Sequence, residues 1–176
     1  MGDDDNAASR DAGVREPGWG RQGGSAASAA PRTLTAAADL SPALIREVAA
    51  GRGLRLAPEL ARAVDQRCSE ARAVLRAGRP VYGVNTGMGA MSGVRLTPRQ
   101  QREHQRNLLL ARATGGPPWL DADDARALIA VRLRTFLSGD AGVSAALCQR
   151  LADVLGASLI PAVPRTWFIT ASIVAW

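Results

Sequence analysis

The stretch VYGVNTGMGAMSGV, residues 81–94, decides how the rest of the chain is read, because it follows neither helical nor strand spacing. It contains the sole tyrosine, Tyr82, and a buried-looking Asn85 set among glycines at 83, 87, 89 and 93. A structured loop is expected here, and regular helices should flank it. Before it, Pro58 opens a helix in which Leu60, Val64, Cys68, Ala71 and Leu75 recur three and four residues apart, making one apolar stripe that ends at Gly78 and Pro80. Cys68 then reads as a core thiol. After it, Thr97 and Gln100 form a T-x-x-Q capping box around Pro98. The helix they start is expected to run to about Ala113 and to end in Gly115, Gly116, Pro117 and Pro118, with His104 on its polar face.

Farther out the same punctuation recurs. Ser41 as N-cap and Pro42 at the first helical position open a helix carrying Leu44, Ile45 and Val48, closed by Gly51, with a short extended piece at Leu54–Leu56. Asp121 and Asp124 begin another helix, where Leu128, Ile129, Val131, Leu133, Phe136 and Leu137 cover more than one face. That helix should be central, so Arg126, Arg132 and Arg134 need partners or water. Ser144 caps a further helix through Leu147, Leu151, Val154 and Leu155 to Gly156. LIPAVP, residues 159–164, is expected to be extended, since a residue before proline avoids the α region. There is no internal repeat. The reading is a mainly α domain over residues 33–165 with one or two short strands, between a disordered tail at 1–32 and a divergent apolar tail at 166–176.

Composition narrows the classes. A chain of 176 residues suits one core, and 47% hydrophobic but only 4% aromatic residues imply a core of Ala, Leu and Val, which favours helices. The formal charge of +6 raises the question of nucleic acid. All the cations are arginines, however, and they alternate with Asp and Glu instead of forming a basic block, so neither nucleic acid nor membrane is expected as a partner. Cys68, Cys148 and the single His104 fall short of the about four ligands a zinc site needs, so no metal is expected. The acidic start, Asp3 to Asp5, is unlike a signal peptide and makes the cytoplasm the default location.

The Gly-rich loop has three readings. A phosphate cradle is one, yet neither G-x-x-x-x-G-K-[ST] nor a strand-to-helix G-x-G-x-x-G can be written over these residues. A structural turn is the second; it accounts for the glycines and leaves Tyr82 and Asn85 unexplained. The third is a catalytic loop, in which glycines bring backbone close to a substrate and Tyr82 offers a phenol. A tyrosine acts as general base only where its surroundings favour the phenolate.

Four segments resemble one family. YGVNTGMG, residues 82–89, is very similar to the Y-G-[VI]-N-T-G-[FY]-G signature of the aromatic amino acid ammonia-lyases and aminomutases, with Met88 where an aromatic is usual. QRNLLLARATGG, residues 105–116, resembles their L-Q-x-N-L-x-x-S-H-x-x-G. RLRTFLSGDAGV, residues 132–143, fits R-x-N-x-L-x-x-G-x-S-G-V, and LIPAVP matches the I-P-x-V-P before their active-site motif. The resemblance runs from about residue 34 to 165 and identifies the chain as an N-terminal portion of a histidine/phenylalanine ammonia-lyase-like protein.

That resemblance implies elimination of ammonia from an aromatic amino acid such as histidine, phenylalanine or tyrosine, or a 2,3 shift of its amino group. It also implies a homotetramer and a methylidene-imidazolone electrophile made autocatalytically from an internal Ala-Ser-Gly. Tyr82 falls where the family has the base for the β-proton, Gly83 where backbone approaches the prosthetic group, and Asn85 where a side chain supports the loop. For Asn85, bonding to its own turn is the expectation. Ala111 and Arg112 replace the Ser-His that helps select the substrate ring; an arginine there suits neither a phenyl pocket nor the histidine role, and points to an anionic or phenol-bearing substrate or to a subunit contact. Arg134 and Ala141 replace the usual Asn and Ser.

Past Pro164 the likeness decays. Aligned without gaps, Ala171 and Ser172 fall on the prosthetic-group Ala and Ser, whereas Ile173 replaces the Gly and Val174 the Asp. A frameshifted or truncated reading frame is the expected cause, and the prosthetic group is not expected to form in this chain. The alternative from another class is a non-catalytic helical interaction module that pairs with a full-length paralogue.

Overall fold

A computed structural model of the chain describes residues 30–112, 116–157 and 159–165. Of the expected tail at 1–32, residues 1–29 lie outside the described residues, as does the apolar segment 166–176; residues 30–32 are described, and Arg32 already begins the first strand. The fold is mainly α, with five α-helices and one two-stranded parallel sheet among the described residues.

Strand β1, Arg32–Leu34, pairs in parallel with β2, Leu54–Leu56, in the register Arg32↔Leu54, Thr33↔Arg55 and Leu34↔Leu56. The sequence pattern anticipates only β2. β1 is three residues with a single buried side chain, Leu34, and strand spacing cannot announce itself over so short a span. Parallel neighbours need a crossover. It is made by a 3-10 turn, Ala37–Asp39, and helix α1, Pro42–Ala49. The Asp39 carboxylate ties that turn by accepting the N–H groups of Thr35 (2.7 Å) and Ala36 (2.9 Å) and the Thr35 hydroxyl (2.9 Å). Ser41 caps α1 through its Oγ, which accepts Leu44 N–H at 3.3 Å.

Helix α2, Pro58–Arg76, buries Leu60, Val64 and Cys68, as the stripe predicts, but Ala71 and Leu75 are only half-buried. Its amino-terminal half therefore reaches the core and its other half leads outward to the Gly-rich loop. Helix α3, Pro98–Arg112, follows that loop and begins with the predicted capping box: Gln100 N–H donates to Thr97 Oγ1 at 3.3 Å, and Thr97 N–H to Gln100 Oε1 at 2.9 Å. The polar-face expectation for His104 is corrected. The residue is half-buried and its Nε2 is shut off from solvent with no hydrogen-bond partner among the described residues, because the face made by Gln101, His104, Gln105 and Leu108 is the covered side of α3.

Helix α4, Ala122–Leu137, packs against α1 and against α5, Ala145–Gly156. Its buried residues, Ile129, Ala130, Leu133, Phe136 and Leu137, join Leu34, Leu40, Val48, Val64, Cys148 and Leu155 in one aliphatic core, with Phe136 its aromatic member. Arg126 is buried in it. Its Nε donates to Val48 O at 3.1 Å and its Nη2 to Leu155 O at 2.6 Å, so one guanidinium reaches carbonyls near the ends of α1 and α5; Val48 O also accepts Gly51 N–H at 3.0 Å. Arg132 lies over the Phe136 ring, 5.6 Å from its centroid, and Arg134 is exposed. At the start of α5 the Ser144 cap is joined by Asp65 of α2, whose Oδ1 accepts Ala145 N–H at 2.8 Å.

The 159–164 segment is extended, as the prolines require. It lies antiparallel to the residues before α4, with Leu120 N–H donating to Val163 O and Arg165 N–H to Pro118 O, both at 2.7 Å. Arg165 also bonds the Asp121 carboxylate at 3.0 Å, so Asp121 stands at the N-cap position of α4 with its side chain committed elsewhere.

Candidate active site

The loop between α2 and α3 is built from its own backbone outward. Asn85 is buried, accepts Val81 N–H on Oδ1 at 2.7 Å and donates from Nδ2 to Arg79 O at 2.7 Å. It bonds its own turn, in line with the sequence expectation. Leu96 N–H to Asn85 O and Gly87 N–H to Val94 O, both at 3.0 Å, fold the second half of the loop onto the first, with a bridge between Thr86 and Arg95. Arg95 Nη1 then reaches Gly78 O at 2.5 Å and closes the loop's base.

Two glycines are required by geometry. Gly83 has φ +69°, a left-handed conformation that side chains with a Cβ adopt at a cost, and a Cβ there would lie 3.2 Å from Met88 Cγ. Gly87 lets backbone pass close: a Cβ there would sit 2.5 Å from Met91 O.

Tyr82 is the loop's outward feature. It is 60% exposed while Val84, Asn85, Thr86 and Gly87 are buried beneath it. Its hydroxyl oxygen accepts Gly89 N–H at 3.1 Å, which fixes the phenol's direction and leaves the oxygen's remaining positions open to solvent. One turn of the next helix holds the neighbouring peptide: Gln105 Nε2 donates to Gly83 O at 2.9 Å. Sequence reasoning gives Gln105 no role. It stands inside QRNLLLARATGG, but nothing in a linear pattern says which carbonyl, 22 residues away, the amide meets.

Tyr82 and Gly83 are adjacent in this loop, and Ala111 and Arg112 end α3, about two turns beyond Gln105, with Ala111 exposed. Ala171, Ser172 and Ile173 lie outside the described residues. Among the described residues no three His, Cys, Asp or Glu side chains converge on a point where a metal ion would sit. Nor is any of their helices long and apolar enough to cross a membrane. Both cysteines are free and buried; burial first, and the Asp65 charge second, push the Cys148 thiol up to about 11, which keeps it protonated and unreactive at neutral pH. A shallow groove of about 280 Å³ lies elsewhere, lined by Ala37, Ala38, Val131, Arg134, Thr135 and Ser138, and holds none of the loop residues.

Fold and loop together define a helical module that presents one oriented phenol on a braced glycine loop. Comparison with known proteins gives that module its family. The family model described as aromatic amino acid lyase matches residues 40–172, and the chain belongs to that family. It is 39% identical over 100 residues to the histidine ammonia-lyase of Treponema denticola, covering 56% of this chain and 20% of that protein. It is 40% identical over 108 residues to the tyrosine ammonia-lyase of Cereibacter sphaeroides, covering 60% of this chain and 21% of that protein. Among solved structures, the ergothionase of Treponema denticola superposes with a TM-score of 0.70 at 26% identity, over 78% of this chain and 28% of that one. The tyrosine aminomutase of Streptomyces globisporus does so with a TM-score of 0.68 at 26% identity, over 78% and 26%. The chain thus spans about a fifth of the length of the curated relatives it matches, 20% and 21% in the two cases above.

Proposed function

We propose that this chain carries the base of an ammonia-lyase or aminomutase acting on an aromatic amino acid, and that Tyr82 is that base. The observation that carries the reading is the exposed Tyr82 phenol held by Gly89 N–H within the Y-G-V-N-T-G-M-G loop. In elimination the phenolate oxygen takes a proton from the substrate's β-carbon. The C–H electron pair becomes the new C=C bond, the C–N bond breaks, and ammonia leaves beside an arylacrylate. In the mutase outcome ammonia adds back at the neighbouring carbon. Ala111 and Arg112, on the last turn of α3, are assigned to ring selection, where a fixed cation favours a phenol-bearing or anionic substrate over a bare phenyl ring.

Ala171-Ser172-Ile173 does not fit the family's methylidene-imidazolone. Closing that ring needs the third residue's nitrogen to attack the first residue's carbonyl in a strained turn, which glycine tolerates and a β-branched isoleucine resists. The 176-residue chain alone is therefore assigned no lyase activity. Intact-mass measurement should show no loss of two waters over residues 171–173, and no cinnamate, coumarate or urocanate should be released. To test the base itself, residues 40–165 are exchanged for the matching stretch of the Cereibacter sphaeroides tyrosine ammonia-lyase. The chimera should turn over an aromatic amino acid, and Tyr82→Phe within it should lower kcat by about a thousandfold. An undiminished kcat in that variant sinks the assignment.

A second reading has its own support in the exposed Leu109, Leu110, Leu128 and Val131, which suit a module that pairs with a full-length paralogue. A stoichiometric complex in a pull-down with such a paralogue would favour it.

A further inference from the structure

The base assigned to Tyr82 hangs on a loop that packs little against the core. Helix α3 contributes nothing to the main hydrophobic cluster of the described residues, and neither does the loop. The hydrogen bonds that brace the phenol's loop come from inside it, from its base and from α3. Inside the loop, Asn85 fixes the turn below Tyr82, and Gly89 N–H fixes the hydroxyl above it. From α3, the Gln105 side chain lands on the carbonyl of Gly83, the residue that follows Tyr82 directly. Gly83 sits at a positive φ, so its carbonyl direction and the Tyr82 side-chain direction are set by the same few torsions.

We propose that Gln105 is a positioning residue for Tyr82: by donating to Gly83 O it docks the base's loop onto α3. The inference rests on the reading of Tyr82 as the base. Its consequence is that the phenol's anchor and the pair Ala111 and Arg112 ride on one rigid helix, about two turns apart, so that α3 sets the spacing between proton removal and ring selection. Gln101 makes a similar reach to Leu96 O at 2.8 Å and anchors the loop's far end, which leaves Gln105 as the anchor beside the base.

The sole tyrosine makes the test direct, because every tyrosine signal is Tyr82. Gln105→Met removes the donor and keeps the length; Gln105→Glu keeps the shape and, when ionised, offers only acceptors to a carbonyl. In both, the Raman doublet of the tyrosine should move toward that of a freely solvated phenol, and amide exchange across residues 82–91 should speed by roughly fivefold. Exchange over α4 should stay as in the unsubstituted chain. On acidification below about pH 4 the carboxyl introduced by Gln105→Glu is protonated and regains a donor, and both readings should return toward the parent chain held at the same pH. A tyrosine signal and loop exchange that ignore both substitutions overturn the proposal, and so does a Gln105→Glu chain with an intact α4 that fails to recover in acid. If Gln105→Met unfolds α3, the acid recovery of Gln105→Glu decides. These readings need no turnover: a signal that follows Gln105 while the chimera tolerates Tyr82→Phe keeps the positioning and removes the base assignment.

Discussion

Asn85 shows how one side chain can hold a loop that has no regular structure. Its amide closes Val81 N–H and Arg79 O at the same time, so Asn85→Ala leaves two backbone groups without partners in a part-buried site. The expected cost is about 2 kcal/mol of local stability, read as faster exchange over residues 79–87 with α4 unchanged. Asp39 gives a pH dependence of known sign. The Thr35 backbone N–H first, then that of Ala36, lowers its pKa below 3.8, so the stabilisation it gives is fully present above 3.8 and is lost as pH falls through the folded value. Acid titration should release the Thr35 and Ala36 amides only below pH 3.8, and Asp39→Ala should abolish that step. An unaltered acid profile in the variant would count against this account. The charged residues near the fold's surface make no comparable promise, since exposed pairs such as Arg99 with Glu103 contribute little.

Among the elements, α4 organises the rest. Arg126 links the ends of α1 and α5 from inside the core, and a methionine there fills similar space without donating a bond. Arg126→Met is expected to destabilise the core by about 2 kcal/mol, since Leu155 O loses its donor while Val48 O keeps Gly51 N–H, and the loss is read as faster amide exchange over α4 and α5. A change under a quarter of that would mean Leu155 O finds water instead. Helix starts are legible in the sequence: Ser41 with Pro42, Thr97 with Gln100 and Ser144 all cap as their spacing requires. Asp121 is legible only as a position, because the competing arginine that takes its carboxylate, Arg165, comes 44 residues later.

Taken as a whole, the described residues leave apolar surface uncovered. Leu128 and Val131 are 51% and 50% exposed on one side of α4, and Leu109 and Leu110 are exposed on α3. A weakly stable chain that self-associates is expected, with a broad thermal transition. Replacing Leu128 with Glu and Val131 with Lys should shift its sedimentation toward monomer with little change in the core. A sharp cooperative melt of a monomeric parent chain would refute this expectation.

Local sequence is enough for the helical class, the placement of the capped helices, the Gly-rich loop and Tyr82 within it, because these rest on neighbours within about four residues along the chain. Family membership is legible for the same reason: its four motifs are each local. Folding in three dimensions is needed for β1 to exist and pair with β2, for Arg126 to serve two helix ends at once, for His104 to face inward, and for Gln105 to meet Gly83. Each of these joins residues far apart in the chain or depends on which face another element covers. A hydrogen bond between Gln105 and a carbonyl 22 residues earlier exists only once α3 has folded back over the loop, and no local spacing encodes that return.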